Sequence, residues 1–466
     1  MLYVAGRNLG LSRPSATLAA AGALLDLLCL VEQRLVLVDA TLLLGIAVQL
    51  GACFASDHHA PLSRGWAMRV AAEGVGIILA GCTKMTGFAT LAVSGVHSLL
   101  SLYHGWFGAG GTRKERARRL LLEALARLFF LIAIPALAYL LINVLHIVLL
   151  PNTGPGAKFH TRDFRRTLRG DEAAVAAEVA GKAAAQAAAE MGIEVPRTAA
   201  HELPSMWARI VEMNREMVKV NAAINKGHQW GSRWWEWPLM GRTILYWTGN
   251  ERPYISPPET TRARIYALGN PAVWWLAALA PTLFVAWAIT QLLGKLTVAH
   301  GGGRRSAAGP PSDDETAEER GGNGGGDGAT PAPTLAHGSP SLLVAGLMLM
   351  VGYLCNWLPF ILVDRVAFLY HFLPSLLHAL LLCGVLLDVA VPAAPLLAAR
   401  APEDMRLADG AQHADGAQHA DAVRWLVAGV VVVAFAASFA FFAPLVYGMP
   451  LSVDGFKARI WFPNWE

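Results

Sequence analysis

Nine apolar runs dominate the chain, at about residues 15–31, 35–55, 67–82, 85–104, 120–150, 270–294, 341–363, 366–390 and 424–446. A helix needs roughly 20 apolar residues to cross bilayer hydrocarbon, and several runs come near that length, the second and third marginally. The pattern predicts about nine transmembrane spans. One long polar segment, 151–269, separates the fifth from the sixth. Within it, residues 172–191 (EAAVAAEVAGKAAAQAAAEM) are alanine-rich enough to be helical on propensity alone. Met206, Ile210, Met213, Met217 and Val220 recur at spacings of three and four, which predicts an amphipathic helix over 203–226 leading to His228. Residues 300–340 carry almost no large apolar side chain, cannot offset chain entropy by burial, and read as a disordered loop. Residues 401–422 contain the tandem duplication DGAQHADGAQHAD and read as a linker in preference to a weak two-histidine metal site.

Composition agrees. Of 466 residues 55% are hydrophobic and 15% charged, and the mean hydropathy is +0.41. That is the composition of an all-α polytopic membrane protein. A net charge of +4 is too small to suggest a nucleic-acid partner. Cys29, Cys53, Cys82, Cys355 and Cys383 form no CxxC pair, which supports neither a zinc site nor a disulfide framework. No basic region, apolar core and cleavage site follow Met1, so insertion is expected to rely on the first hydrophobic helices.

Basic residues set the orientation. Arg7 and Arg13, Arg64 and Arg69, and the cluster Arg113, Lys114, Arg116, Arg118 and Arg119 occupy alternate connections, whereas Arg34 and Lys84 stand nearly alone in the others. The positive-inside bias puts the first group, with 300–340 and 401–422, in the cytosol. Segment 151–269, the turn at Asp364 and Arg365, and the tail after Tyr447 then share the opposite side. Three regions follow: 1–150, the loop 151–269, and 270–466 with its insert.

That opposite side carries the candidate chemistry. Residues 228–247 read HQWGSRWWEWPLMGRTILYW, with Trp230, Trp234, Trp235 and Trp237 inside eight residues. Indoles so dense suit either an interfacial belt or the wall of a site holding a polar ligand beside hydrocarbon. Arg34, Asp39, Lys84, Asp364, Arg365 and His371 fall on the same side. Each has a plain alternative: Arg34 and Lys84 as anchors, His371 as a packing residue, Asp364 and Arg365 as a mutually neutral turn. Together they are mainly basic, which suits a phosphate held next to lipid, and indole faces suit a sugar.

The string HQWGSRWWEWPLMGRTILYW, followed by IYALGNPAVWW, FLYHFLP and FFAPLVYGMPLS, resembles the C-terminal four-helix region of the protein O-mannosyltransferases. EQRLVLVDATLL is similar to that family's QSR-x-ILLD element. WAMRVAAEGVGIILAGCTKMTGFAT resembles its helix pair with serine-x-lysine, here with threonine before Lys84, and TGPGAKFHTRDFRRTLRGD resembles its GPGDAFMSPxFQxxL loop. The resemblance implies a GT-C transmembrane bundle of the endoplasmic reticulum membrane. Its reaction would be inverting transfer of mannose from dolichyl phosphate mannose to Ser or Thr hydroxyls of secretory proteins, with a dimer partner, no cofactor and no metal. It implies an active-site role for Arg34. It matches His228, Trp235, Trp237, Arg242, Arg365 and His371 to signature positions, with Arg242 or Arg365 for the phosphate and Lys84 as a further substrate-binding candidate.

Two departures qualify it. The chain opens with YVAGRNLGLSRPSA, similar to the end of the family's second helix, so an N-terminal truncation is expected, without the Asp-Glu loop held to supply the base such a transfer needs. Between Gly170 and His201 the alanine-rich helix replaces the β-trefoil MIR domain of many members. Two other readings stay open: the same fold without catalysis, as a dimer partner or binder of unfolded chains, and a transporter or another transferase of lipid-linked sugars. No internal repeat favours the transporter.

Overall fold

The computed structural model describes residues 1–35, 37–108, 110–191, 203–224, 227–249, 261–302, 341–392 and 410–466. Among these, eight helices are long and apolar enough to cross a membrane, and nine segments are if one bent pair counts as a single span. After α1 (Leu2–Asn8), the pair is α2 (Arg13–Leu24) and α3 (Leu27–Arg34), inclined at 55°. The run 15–31 is thus two helices, not one. The cause is Asp26, whose Oδ2 accepts from Cys29 N at 2.9 Å and so caps α3. Its Oδ1 accepts from Asn270 N at 2.9 Å and from Trp274 Nε1 at 2.7 Å. A carboxylate held from three directions stops one helix and starts the next.

The hairpin of α4 (Asp39–Ser56) and α5 (Arg64–Thr83) follows. It closes tightly because Gly45 and Gly76 stand at the crossing; a Cβ on Gly45 would lie 2.5 Å from Ala80 N. Then come α6 (Thr90–Gly108), α7 (Arg113–Leu128) and α8 (Ile134–Leu149), the last two joined through a π turn at Phe129–Ala133. Pro135 at the start of α8 has no N–H for the preceding turn, and the wider π turn accommodates that loss. In the C-terminal part, α14 (Leu373–Ala390) is the most enclosed span; α12 (Pro271–Gly302), α13 (Leu342–Trp357) and α15 (Gly410–Tyr447) accompany it.

Segment 151–269 holds the alanine-rich α10 (Glu172–Glu190) and the amphipathic α11 (Met206–Ala222), as the composition and spacing predict, preceded by a short α9 (Arg162–Arg165) that neither announced. It adds β structure that no periodicity announced. Strand β1 (Ile244–Thr248) pairs antiparallel with β3 (Arg264–Ala267), and β2 (Thr261–Arg262) pairs with β4 (Leu451–Ser452) of the tail, just before α16 (Val453–Lys457). Two expectations change. Residues 300–302 end α12 and the rest of the insert to 340 lies outside the described residues, as do 401–409, while 410–422 begin α15 and are not a linker.

Polar contacts mark the two ends of the bundle. At one end Asp388 accepts from Ser12 N and Ser15 Oγ, both at 2.8 Å, and pairs with Arg424 at 3.2 Å. At the other end Lys84 meets Asp39, and Arg34 meets the end of α15. The alternation inferred from the basic residues is therefore the alternation of the helix ends.

Replacing Asp26 by Ala leaves Cys29 N, Asn270 N and Trp274 Nε1 buried without this acceptor. At about 1–3 kcal/mol for each stranded donor, Asp26→Ala is expected to lower stability by at least about 3 kcal/mol, seen as a fall in the detergent unfolding midpoint. An unchanged midpoint would show that Asp26 does not hold the bend.

Candidate active site

A cavity of about 600 Å³ opens at the second end of the bundle, between the ends of α5 and α8, helix α11 and the turn before α14. Lys84, the C-cap of α5, leaves the helix in extended conformation (φ −150, ψ 136) and lines the cavity. Its Nζ lies 2.9 Å from Asp39 Oδ1 and 4.7 Å over the Tyr370 ring. Arg365 lines the same space and donates to Asn221 Oδ1 of α11 and, through Nε, to Val366 O at 3.4 Å. His371 completes the polar side, buried, with Nδ1 3.0 Å from Phe368 O. Across from them, Asn214 of α11 accepts from Tyr139 OH and donates to Asn143 Oδ1 at 3.0 Å, which fixes α11 on α8 as a roof.

The tryptophan-rich stretch folds into a 3-10 turn, Trp234–Leu239, beside this cavity. Trp237 is fully buried: its Nε1 donates to Ser232 Oγ at 2.9 Å and its ring stacks on His371 with centroids 5.8 Å apart. Trp234 packs on Trp357, and Trp230 on Tyr266. Only Trp235 of the four is exposed, at 50%, under the Arg233 guanidinium. The indole density is thus mostly packing. His228 is exposed, its Nδ1 accepting from Trp230 N at 3.2 Å, its ring against Phe368.

Among the candidates, Lys84, Arg365 and His371 line this cavity, while His228, Trp235 and Trp237 line a cleft next to it. Arg34 and Arg242 line neither. Arg34 donates to Val446 O at 3.0 Å and lies 4.7 Å over the Tyr447 ring, joining α3 to α15. Arg242 donates to Gln229 O at 2.8 Å and braces the loop. Between the two arginines considered for a phosphate, position favours Arg365. Sequence reasoning missed Glu32 and Tyr246. Tyr246 sits at the register shift of the β1–β3 pair, a bulge that turns its side chain toward α3. Its OH donates to the buried Glu32 Oε1 at 2.6 Å. Glu32 lies two residues from Arg34, but nothing in the sequence pairs it with a tyrosine 214 residues on. No group of three or more His, Cys, Asp or Glu with metal-binding placement occurs among the described residues.

A membrane-spanning helix bundle with a polar site at one end is the GT-C architecture, and a solved structure shares it. A chain described as "S. cerevisiae protein O-mannosyltransferase Pmt1-Pmt2 complex bound to the sugar donor" superposes with a TM-score of 0.70 at 16% identity, covering 100% of this chain and 78% of that one. The family model for dolichyl-phosphate-mannose-protein mannosyltransferase matches residues 1–151, and that for the C-terminal four TMM region of protein-O-mannosyltransferase matches 206–300 and 333–465. The chain belongs to the protein O-mannosyltransferase family. Similar curated relatives include dolichyl-phosphate-mannose–protein mannosyltransferase 1 of Candida albicans, 24% identical over 185 residues, and protein O-mannosyl-transferase 2 of Danio rerio, 26% over 187. Each match covers 40% of this chain but only 16% and 20% of those relatives.

Burial, and after it the Glu32 carboxylate, pushes the Tyr246 phenol above its ordinary value of 10.0. The unfolded phenol ionises first as pH rises, so this group's contribution to stability is present below pH ~10 and is lost above it. Tyr246→Phe is expected to cost about 1–3 kcal/mol at neutral pH by stranding Glu32 Oε1, and to flatten the loss of stability between about pH 9 and 11. Unfolding midpoints against pH for both proteins check this; parallel curves would contradict it.

Proposed function

We propose that this chain transfers mannose from dolichyl phosphate mannose to Ser or Thr hydroxyls of secretory polypeptides, with inversion at the anomeric carbon. The observation that carries the reading is the cavity in which Lys84 and Arg365 face one space among apolar helices. An ammonium and a forked guanidinium are the donors a phosphate diester requires. Helix α8, whose Tyr139, Ile142, Asn143 and His146 line the cavity, also exposes Leu137, Leu141 and Leu145 in one stripe at i, i+4 spacing, an apolar surface fit for a polyprenyl tail. In the transfer the acceptor oxygen bonds to the anomeric carbon as that carbon's bond to the phosphate oxygen breaks. The electron pair leaves with dolichyl phosphate, whose oxygens take up both the negative charge and, in the balance of the reaction, the proton that the hydroxyl loses. Lys84 and Arg365 then stabilise charge that grows on the leaving phosphate, the step at which fixed donors in a dry site contribute most. Arg34 acts from outside the cavity by holding α3 to α15.

The concentration of arginine and lysine at the opposite end supports a luminal site in the endoplasmic reticulum membrane. The solved relative is described as a complex of two such proteins bound to the sugar donor, which supports pairing with another family member.

The test is transfer by the full chain in lipid nanodiscs, supplied with dolichyl phosphate mannose and a Ser/Thr-rich peptide. Lys84→Ala and Arg365→Ala are each expected to lower kcat/KM about 100-fold, the usual effect of removing one preorganised donor. Arg34→Ala is expected to abolish transfer while leaving membrane insertion intact. Absence of transfer by the unsubstituted chain, alone and with a family partner, would defeat the proposal.

A further inference from the structure

A second polar region lies inside the bundle, away from the cavity. Glu73 stands at the middle of α5, fully buried, and neither of its carboxylate oxygens has a hydrogen-bond partner among the described residues. The α4–α5 crossing fixes what faces it. A Cβ on Gly76 would lie 2.4 Å from Gln49 N, so Gln49 packs on α5 one turn from Glu73. The antiparallel register then sets Cys53, one turn beyond Gln49, next to Glu73. Gln49 is fully buried too; its Nε2 donates to Ser94 Oγ of α6 at 2.8 Å, and its Oε1 is left without a donor. Three buried oxygens from two touching helices thus lack partners among the described residues, the mark of a place for a water or an ion.

A carboxylate in the middle of a span is costly unless its charge is matched. The charged groups around it are matched to one another instead. Arg127 of α7 pairs with Glu123 at 3.1 Å and lies over the Trp66 ring, and His97 of α6 meets Asp57 at 2.9 Å. Turning the Gln49 amide over would offer Glu73 one N–H and still leave its charge uncompensated. We propose that Glu73 and Gln49 form an intramembrane site for one alkali-metal cation, Na⁺ or K⁺, held by Glu73 Oε1 and Oε2 and Gln49 Oε1. Oxygen ligands suit a hard cation, and a single uncompensated negative charge selects a single positive one. The way in starts at the end of the bundle opposite the cavity. Asp57, 26% exposed, follows Cys53 by one turn of α4, and His97, whose Nδ1 is buried without a partner, follows Ser94 by one turn of α6. Neither Glu73 nor Gln49 lines the cavity, and the inference does not rest on the transferase reading.

The experiment uses the full chain in nanodiscs, titrated with NaCl or KCl against choline chloride at constant ionic strength and neutral pH. One readout is the thermal unfolding midpoint. The other is labelling of Glu73 by dicyclohexylcarbodiimide, which adds to a protonated acid, located by mass spectrometry. Na⁺ or K⁺ is expected to raise the midpoint and, at ten times its Kd, to slow the labelling about 10-fold, because only the empty site takes up a proton. Glu73→Gln is expected to abolish the rise. Gln49→Leu is expected to leave Glu73 reactive while raising about 10-fold the cation concentration that protects it. A midpoint and a labelling rate equal in all three salts would overturn the proposal and leave Glu73 a protonated packing residue. A rise that persists in Glu73→Gln, or protection by Ca²⁺ but by neither alkali cation, would overturn it as well. Where Glu73→Gln does not fold, the labelling of the unsubstituted chain decides; where no adduct forms in any salt, the midpoint decides.

Discussion

Asp26 is the interaction on which the remainder depends. Its carboxylate, fully buried, takes hydrogen bonds from the backbone of α3, from the backbone of Asn270 and from the Trp274 indole. Asn270 in turn donates through Nδ2 to Leu25 O and Phe435 O. One acid and one amide therefore bind the broken first span, the entry to α12 and the middle of α15 into a single knot. Taking a carboxylate out of water costs several kcal/mol, and only such a set of donors offsets it. The knot is consequently all-or-none: with any strand displaced, the others are left with stranded polar groups. It is also the junction between the two parts of the chain that the two family models match separately.

The bend made there decides where the site forms. Because α3 leaves α2 at 55°, its last turn carries Glu32 under the bulged strand β1 and Arg34 against the end of α15. The next connection places Asp39 beside Lys84. Glu32, Arg34, Lys84 and Arg365 thus each meet a partner from a distant part of the sequence. At membrane depth this is a requirement, since an unpaired charge there is expensive.

That requirement also explains what could and could not be read from the sequence. The spans were legible because hydrocarbon thickness sets their length, and the shared end of Arg34, Lys84, Arg365 and His371 followed from the alternation of basic residues. The break at Asp26 was not, because LLDLLCL reads as apolar with one acid, and the donors that make the acid a cap lie near residue 270. Residues 410–422 were misread for a related reason: their composition is that of a linker, but a helix already nucleated by the span behind it extends at little cost. Arg242 and Arg365 carry the same charge on the same side, and only the fold separates the brace from the cavity wall. Tyr246 owes its partner to a bulge, which leaves no periodic trace.

On the proposed reading, the pairing that makes the charges tolerable would also govern what a phosphate gains by entering. Lys84 already has Asp39 at 2.9 Å, and Arg365 already has Asn221, so neither cation is bare in the free protein. Arg365 holds a neutral amide, whose exchange for an anion strengthens the bond. Lys84 holds an anion, so exchange returns only the difference between two anionic partners and exposes Asp39 unless both share the ammonium, which has three donors. On the proposed reading the two cations would therefore be unequal: the guanidinium would favour capture of a phosphate, and the ammonium, tethered between Asp39 and the Tyr370 ring, would fix its position. Such a site would discriminate against an anion that reaches only Lys84, because that anion would have to displace or share the Asp39 carboxylate.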